Sequence, residues 1–265
     1  MPTPTADHPT AGTPAPTHQP TAAAQPAGAH AAATLGSERL DLYAGIHKAL
    51  RLFMTRTLTT VGSTDPDDAA EVGQSLAGLE RLLGLCELHL QDENDFVHPA
   101  LERARPGSAA RIAAEHQHHA EAIADLRDLA GLVHDARPAQ RPAALARLYR
   151  ALALFVADNL QHMHVEETAH NAVLWAHYSD AELLAIEQAI VSSIPPAAML
   201  EALHWFIPAL SAPERAAMLG GMQQGMPPEP FAAVLDIARR ALAPADQAKL
   251  RRTLGLPPVP GLVTV

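Results

Sequence analysis

HLQDE, residues 89–93, lies inside an apolar helical run and sets a histidine four positions before a glutamate. HMHVE, residues 162–166, repeats that spacing about seventy residues later. Side chains four apart on an α-helix share one face, so each stretch turns an imidazole and a carboxylate toward the same neighbour. An isolated carboxylate in an apolar interior is strongly disfavoured. Two such pairs therefore need a common partner, and the surrounding pattern has to say whether they meet.

Outward from these stretches the apolar residues keep helical spacing. Four long patterns are expected: helix A over about 37–61, helix B from a cap at Asp65 with Pro66 in its first turn to the vicinity of His98 and Pro99, helix C after RPGS with Ser108 as cap, and helix D over about 142–178. Short links imply antiparallel neighbours, hence an all-α, up-down-up-down four-helix bundle. Leu and Ala dominate, aromatics are 4%, and no sustained β-branched alternation offers a sheet. Residues 1–35, rich in Pro, Thr and Ala, bury too little apolar surface to fold and are expected to form a disordered tail, so the bundle spans 36–178. His8, His18 and His30 fall in that tail as accidents of composition. Residues 179–265 are broken by SIPP, SAPE, MPPEP and APAD into an extension of short helices, with capping boxes at Ser179/Glu182 and Ser211/Glu214.

The formal charge of −10, without a basic stripe or aromatics to stack on bases, argues against nucleic acid and anionic membranes. No apolar run approaches the roughly 18 residues of a membrane span. The single cysteine, Cys86, precludes an internal disulfide and suits a reducing cytoplasm. A cytoplasmic location is expected.

Each bundle helix turns a histidine inward. The stripes are Leu40, Tyr43, His47, Leu50, Met54 on A; Leu79, Leu82, Cys86, His89, Glu93, Val97 on B; Ile112, His116, His119, Ile123, Leu126 on C; and Leu148, Leu152, Phe155, Asn159, His162, Glu166, Ala169 on D. Depth agrees for three helices: His116 lies 20 residues before Ala136 and His162 lies 20 after Pro142, while Glu93 to Leu101 and Ser108 to His116 both span eight. A pair of metal ions is the economical way to bury such groups at one level, and a nitrogen and oxygen donor set without thiolate favours iron or manganese over structural zinc.

These residues resemble the hemerythrin-like HHE cation-binding domain: an inward histidine on helix A, HLQDE followed by VHP on B, EH at 115–116 on C and HMHVEE on D. The resemblance covers roughly residues 38–176. It implies a bundle around a non-haem di-iron centre, two iron ions held by His47, His89, Glu93, His116, His162 and Glu166, that handles O2, NO or peroxide. Reversible oxygen carriers of this kind have a further histidine on helix C where this chain has Ala120. His119, three residues beyond His116, is turned about 60° back around the helix and is expected beside the ligands rather than among them. His170, one turn past Glu166, and Tyr43, one turn from His47, are further candidates near the metals, Tyr43 either as core filling or as a hydroxyl that steadies a bound ligand. Glu167, about 100° from Glu166, is expected at the surface or behind the ligands. His118 and His164 fall off the inward stripes. The function expected is binding or sensing of a diatomic ligand. The alternative is a di-iron oxidase, peroxidase or oxygenase acting on a small substrate, for which the sequence carries no recognisable substrate-binding motif and leaves the catalytic residues unknown.

Overall fold

In a computed structural model that describes residues 39–258, four long helical stretches form a bundle, and among these residues there is no strand. The expected tail and its histidines lie outside the described residues. The first stretch is α1 (Ala44–Ser63). The second runs from α2 (Ala69–Asp92) through a π-helical turn (Glu93–Val97) into α3 (His98–Ala104). The third is α4 (Ala110–Asp135). The fourth runs from α5 (Arg141–Val165) through a second π-helical turn (Glu166–His170) into α6 (Asn171–His177). α1 and α4 each pack against both α2 and α5, which leaves every long helix an inner face.

Three boundaries differ from the sequence expectation, each for a local reason. The second helix is capped by Asp68, whose carboxylate accepts from the Ala70 and Glu71 amides; Asp65 instead folds the preceding turn by accepting from Asp67. That helix does not stop at Pro99. The π turn passes its bonding on, with the His98 amide donating to the Glu93 carbonyl, and the missing Pro99 N–H falls where the α ladder is already interrupted. Ser108 is not a cap: its hydroxyl donates to the Leu101 carbonyl, and Glu102 organises the turn by accepting from Gly107, which has a positive φ of 83°, and from Ala109.

Two apolar clusters bracket the bundle's polar layer. On one side Leu50, Phe53, Met54, Leu82, Leu126 and Leu152 are fully buried, with Cys86 among them as a small hydrophobe. On the other, Leu40, Tyr43, Val97, Leu101, Leu174 and Leu183 close the end. His47 lies between Tyr43 and Leu50 along α1, and Glu93 lies between Leu90 and Val97, so chain order alone places these groups between two dry layers.

The remaining helices are α7 (Asp180–Ser193), α8 (Pro196–Ala209), α9 (Ala212–Gly225), α10 (Pro228–Ala241) and α11 (Pro244–Thr253). Proline opens three of them, where its missing N–H costs nothing. Ser179 and Glu182 form the expected reciprocal capping box, and Glu214 accepts from the Ser211 amide in the second. α8 lies along α1: Trp205 stacks on Phe53 at 3.5 Å between ring centroids, and Phe206 packs so close to Gly45 that a Cβ there would stand 3.2 Å from its ring. Lys48, next to His47, pairs with the buried Glu214 of α9. Leu203, Ile207, Leu219, Phe231, Val234 and Ile237 give these helices an apolar core of their own. Among the described residues no single helix is long and apolar enough to cross a membrane.

Candidate metal centre

The four stretches deliver their inward histidines to one level. His47 comes from α1, His89 from α2, His116 from α4 and His162 from α5, and Glu93 and Glu166 open the two π turns. Each of these six is buried except His89, which is nearly so. Their donor atoms fall into two groups. In one, His47, His89, Glu93 and Glu166 offer atoms within 4.8 Å of one another; in the other, Glu93, His116, His162 and Glu166 do so. The two glutamates belong to both groups, which is the arrangement that lets a pair of carboxylates bridge two cations.

Residues outside this layer set the orientation of the imidazoles. His47 Nδ1 lies 3.0 Å from Glu167 Oε1, and Arg51 clamps that carboxylate from behind with two hydrogen bonds of 2.6 and 2.9 Å. His162 Nδ1 lies 3.0 Å from Glu115 Oε2, with Arg111 paired to the same carboxylate. His116 Nδ1 lies 2.9 Å from Asn94 Oδ1. An oxygen acceptor at Nδ1 places the ring proton there and leaves the Nε2 lone pair facing inward, as a metal-binding imidazole requires.

Those lone pairs converge on unsatisfied space. The Nε2 atoms of His116 and His162 are 3.2 Å apart, a repulsive contact between two neutral rings unless a proton or a cation lies between them. His162 Nε2 is 3.0 Å from Glu166 Oε1, His116 Nε2 is 3.2 Å from Glu93 Oε2, and His47 Nε2 is 3.4 Å from Glu166 Oε2. Yet all four oxygens of the two carboxylates, together with His47 Nε2 and His89 Nε2, are buried without a properly directed hydrogen bond. Each such orphan costs roughly 1–3 kcal/mol, and more when charged, so six of them in one place is a strong demand for a partner that attracts lone pairs. The donors present, imidazole nitrogen and carboxylate oxygen, fit a divalent transition metal.

The electrostatics carry the same tension. Burial, then the charge of Glu166, holds the Glu93 carboxyl well above the ordinary carboxylate range. Burial pushes Glu166 the same way, but contacts from His116, His162 and His47 outweigh it and hold its carboxyl well below that range. Burial would likewise lower His47 and His162, but their glutamate partners overcome it and raise both. His89, which has burial and the neighbouring His47 against it, falls well below an ordinary imidazole.

Residues 39–170 match the Hemerythrin family, described as the hemerythrin HHE cation binding domain. That segment of the chain belongs to this family. No curated protein and no solved structure matches the chain. The hemerythrin HHE segment thus covers α1 to α5 and both π turns, and its last matched residue, His170, closes the second of them.

Of the other residues singled out in the sequence, His119 is buried but stands outside both groups of four, its ring 4.6 Å from that of His162 and edge-on to it. Ala120 faces solvent, so the inward position that follows His116 on α4 is His119, three residues along. Tyr43 is fully buried, and its hydroxyl lies 3.0 Å from Nδ1 of His170, which is buried as well. Glu167 is the support of His47 described above. His118 and His164 are exposed. Ala169, on the expected inward stripe, is exposed, because the second π turn advances the buried face by one residue and brings in His170 and Asn171 instead. The first π turn does the same to His98, which unbroken helical spacing leaves off the stripe: it is 7% exposed and stacks on His116 with ring centroids 4.7 Å apart. Asn94 and His98 are thus the site residues that sequence periodicity missed, and the signal that could have found His98 is Pro99, which removes a ladder hydrogen bond one residue later.

Proposed function

We propose that the protein is a hemerythrin-like di-iron protein that binds or senses a diatomic ligand, O2 or NO. The observation that carries this reading is the sharing of Glu93 and Glu166 between two four-donor groups, with all four carboxylate oxygens and the Nε2 atoms of His47 and His89 left without a hydrogen-bond partner. In it, His47 and His89 would hold one iron, His116 and His162 would hold the other, and Glu93 and Glu166 would be shared between them. When bound, such a pair supplies electrons to a small ligand at an open coordination position. The chain itself supplies orientation and exclusion of water. Glu167, Asn94 and Glu115 fix the tautomers of His47, His116 and His162, so that metal entry requires no ring to turn. The two apolar clusters keep bulk water from the layer, which strengthens every charge interaction inside it. The raised Glu93 carboxyl would have to give up a proton to a cation, whereas the depressed Glu166 carboxyl favours the charged form that a cation needs.

The test is to reduce the iron-loaded protein anaerobically and admit O2 or NO while the visible spectrum is recorded. A binder gives a stoichiometric spectral change that reverses, or holds unchanged, without consuming reductant. Continuous consumption of reductant with a small substrate present would shift the reading to the enzyme alternative.

A further inference from the structure

The second metal position, at His116 and His162, is lined by more imidazole than its four donors need. His98 lies flat against His116 with 23° between the ring planes, and edge-on to His170 at 5.9 Å between centroids. Its Nε2 is fully buried and has no hydrogen-bond partner. The first position, at His47 and His89, has Tyr43 as its aromatic neighbour on α1. The Tyr43 hydroxyl instead reaches His170 and secures the wall against which His98 stands.

His98 is not one of the donors. Its nitrogens join neither group of four. It stands against His116, a donor of that position, with a buried nitrogen left over. A buried imidazole nitrogen without a partner is costly unless something arrives to use it. We infer that His98 is the hydrogen-bond partner of a small exogenous anion taken up at the second metal position, and that the first π turn exists to bring it there. This rests on the di-iron reading. It adds which of the two positions receives the ligand and which side chain holds the ligand's outer atom.

The experiment uses the full chain loaded with iron, and azide as the probe. Iron content is measured first, then azide affinity from its charge-transfer absorbance, for the wild type, His98→Phe and His98→Gln. Phenylalanine keeps the stack on His116 and removes the nitrogen; glutamine keeps a polar group and tests the result with a different shape. The expected outcome is two irons per chain in all three, with azide held about tenfold or more weaker by His98→Phe and an intermediate affinity for His98→Gln, in keeping with loss of a hydrogen bond to a charged group. Equal azide affinity in wild type and His98→Phe, with iron retained, overturns the assignment while leaving the di-iron reading intact. Loss of iron from folded variants overturns it too, because His98 would then be a metal ligand. A wild type that takes up no metal fails at the earlier step, and the two failures are thereby told apart.

Discussion

At the scale of single residues, the centre is organised by what stands behind each imidazole. Glu167 is the clearest instance: the Arg51 guanidinium and His47 hold its carboxyl at about 2 against the opposing effect of burial, so it stays ionised and keeps the His47 proton on Nδ1. Glu167→Gln leaves the donor set complete but lets the His47 ring take either tautomer. Metal affinity is expected to fall by roughly 10–100-fold with helicity unchanged, measured by competition with a chelator. Protons give a second expectation. Glu93 has a raised folded pKa and keeps its proton above the ordinary carboxylate range, and His47 and His162, also raised, are partly charged where ordinary histidines are neutral. All three must lose protons to bind a cation, so metal uptake releases protons and affinity rises with pH through neutrality. Calorimetry in buffers of different ionisation enthalpy measures this, and an affinity that falls with rising pH would contradict it. At Glu93 the metal-free fold responds with the opposite sign. Between the ordinary carboxylate range and the folded value of Glu93 the unfolded chain has fewer protons at this group than the native one, so the part of stability that Glu93 contributes declines as pH rises, while the depressed His89 contributes in the opposite sense below the ordinary imidazole value. The depressed Glu166 works in the opposite sense, but only below that range.

At the scale of elements, both π turns begin at a glutamate shared by the two donor groups. A π turn widens the helix by one residue and lets consecutive side chains, Val97 and His98 or His170 and Asn171, both face inward. Pro99→Ala restores an N–H that can bond to the Asp95 carbonyl and favours a regular α ladder. The expected result is weaker metal binding through Glu93 with helix content unchanged, read by circular dichroism and metal titration together. The same turns mark the limit of what the sequence discloses. HLQDE and HMHVE were legible because they lie on regular helix before each turn, where a spacing of four means one face. Past the turn, constant periodicity assigns Ala169 inward and His98 outward, and both assignments fail by one residue. Ends were misread where two residues compete for one role, as Asp65 and Asp68 do, since only the distance to the amides decides between them. That the extension covers apolar bundle surface was legible, but that α8 meets α1 was not, because nothing in the spacing of Trp205 or Phe206 names the surface it meets.

At the scale of the whole molecule, the C-terminal helices supply no donor to either group, yet they hold the outside of the helix that carries His47. Trp205 on Phe53, Phe206 on Gly45 and Glu214 on Lys48 all fall within α1, and Leu183 of α7 belongs to the apolar cluster that closes the end of the bundle. A shortened chain of residues 36–178 exposes that surface. It should retain the metal-to-protein ratio of the full chain while melting at lower temperature and tending to aggregate, which elemental analysis and sedimentation can separate. A folded monomer of that length that had lost its metal would mean that the later helices position His47 rather than cover it. The central claim is that one layer of this bundle holds two irons bridged by Glu93 and Glu166, and elemental analysis of the purified full chain alongside its Glu166→Gln variant tests it most directly. The account predicts close to two irons per chain in the wild type, with near-ultraviolet charge-transfer bands in the oxidised protein, and loss of at least one iron in the variant. Stoichiometric zinc without iron after growth in iron-replete medium, or two irons retained by Glu166→Gln with an unchanged spectrum, would contradict it.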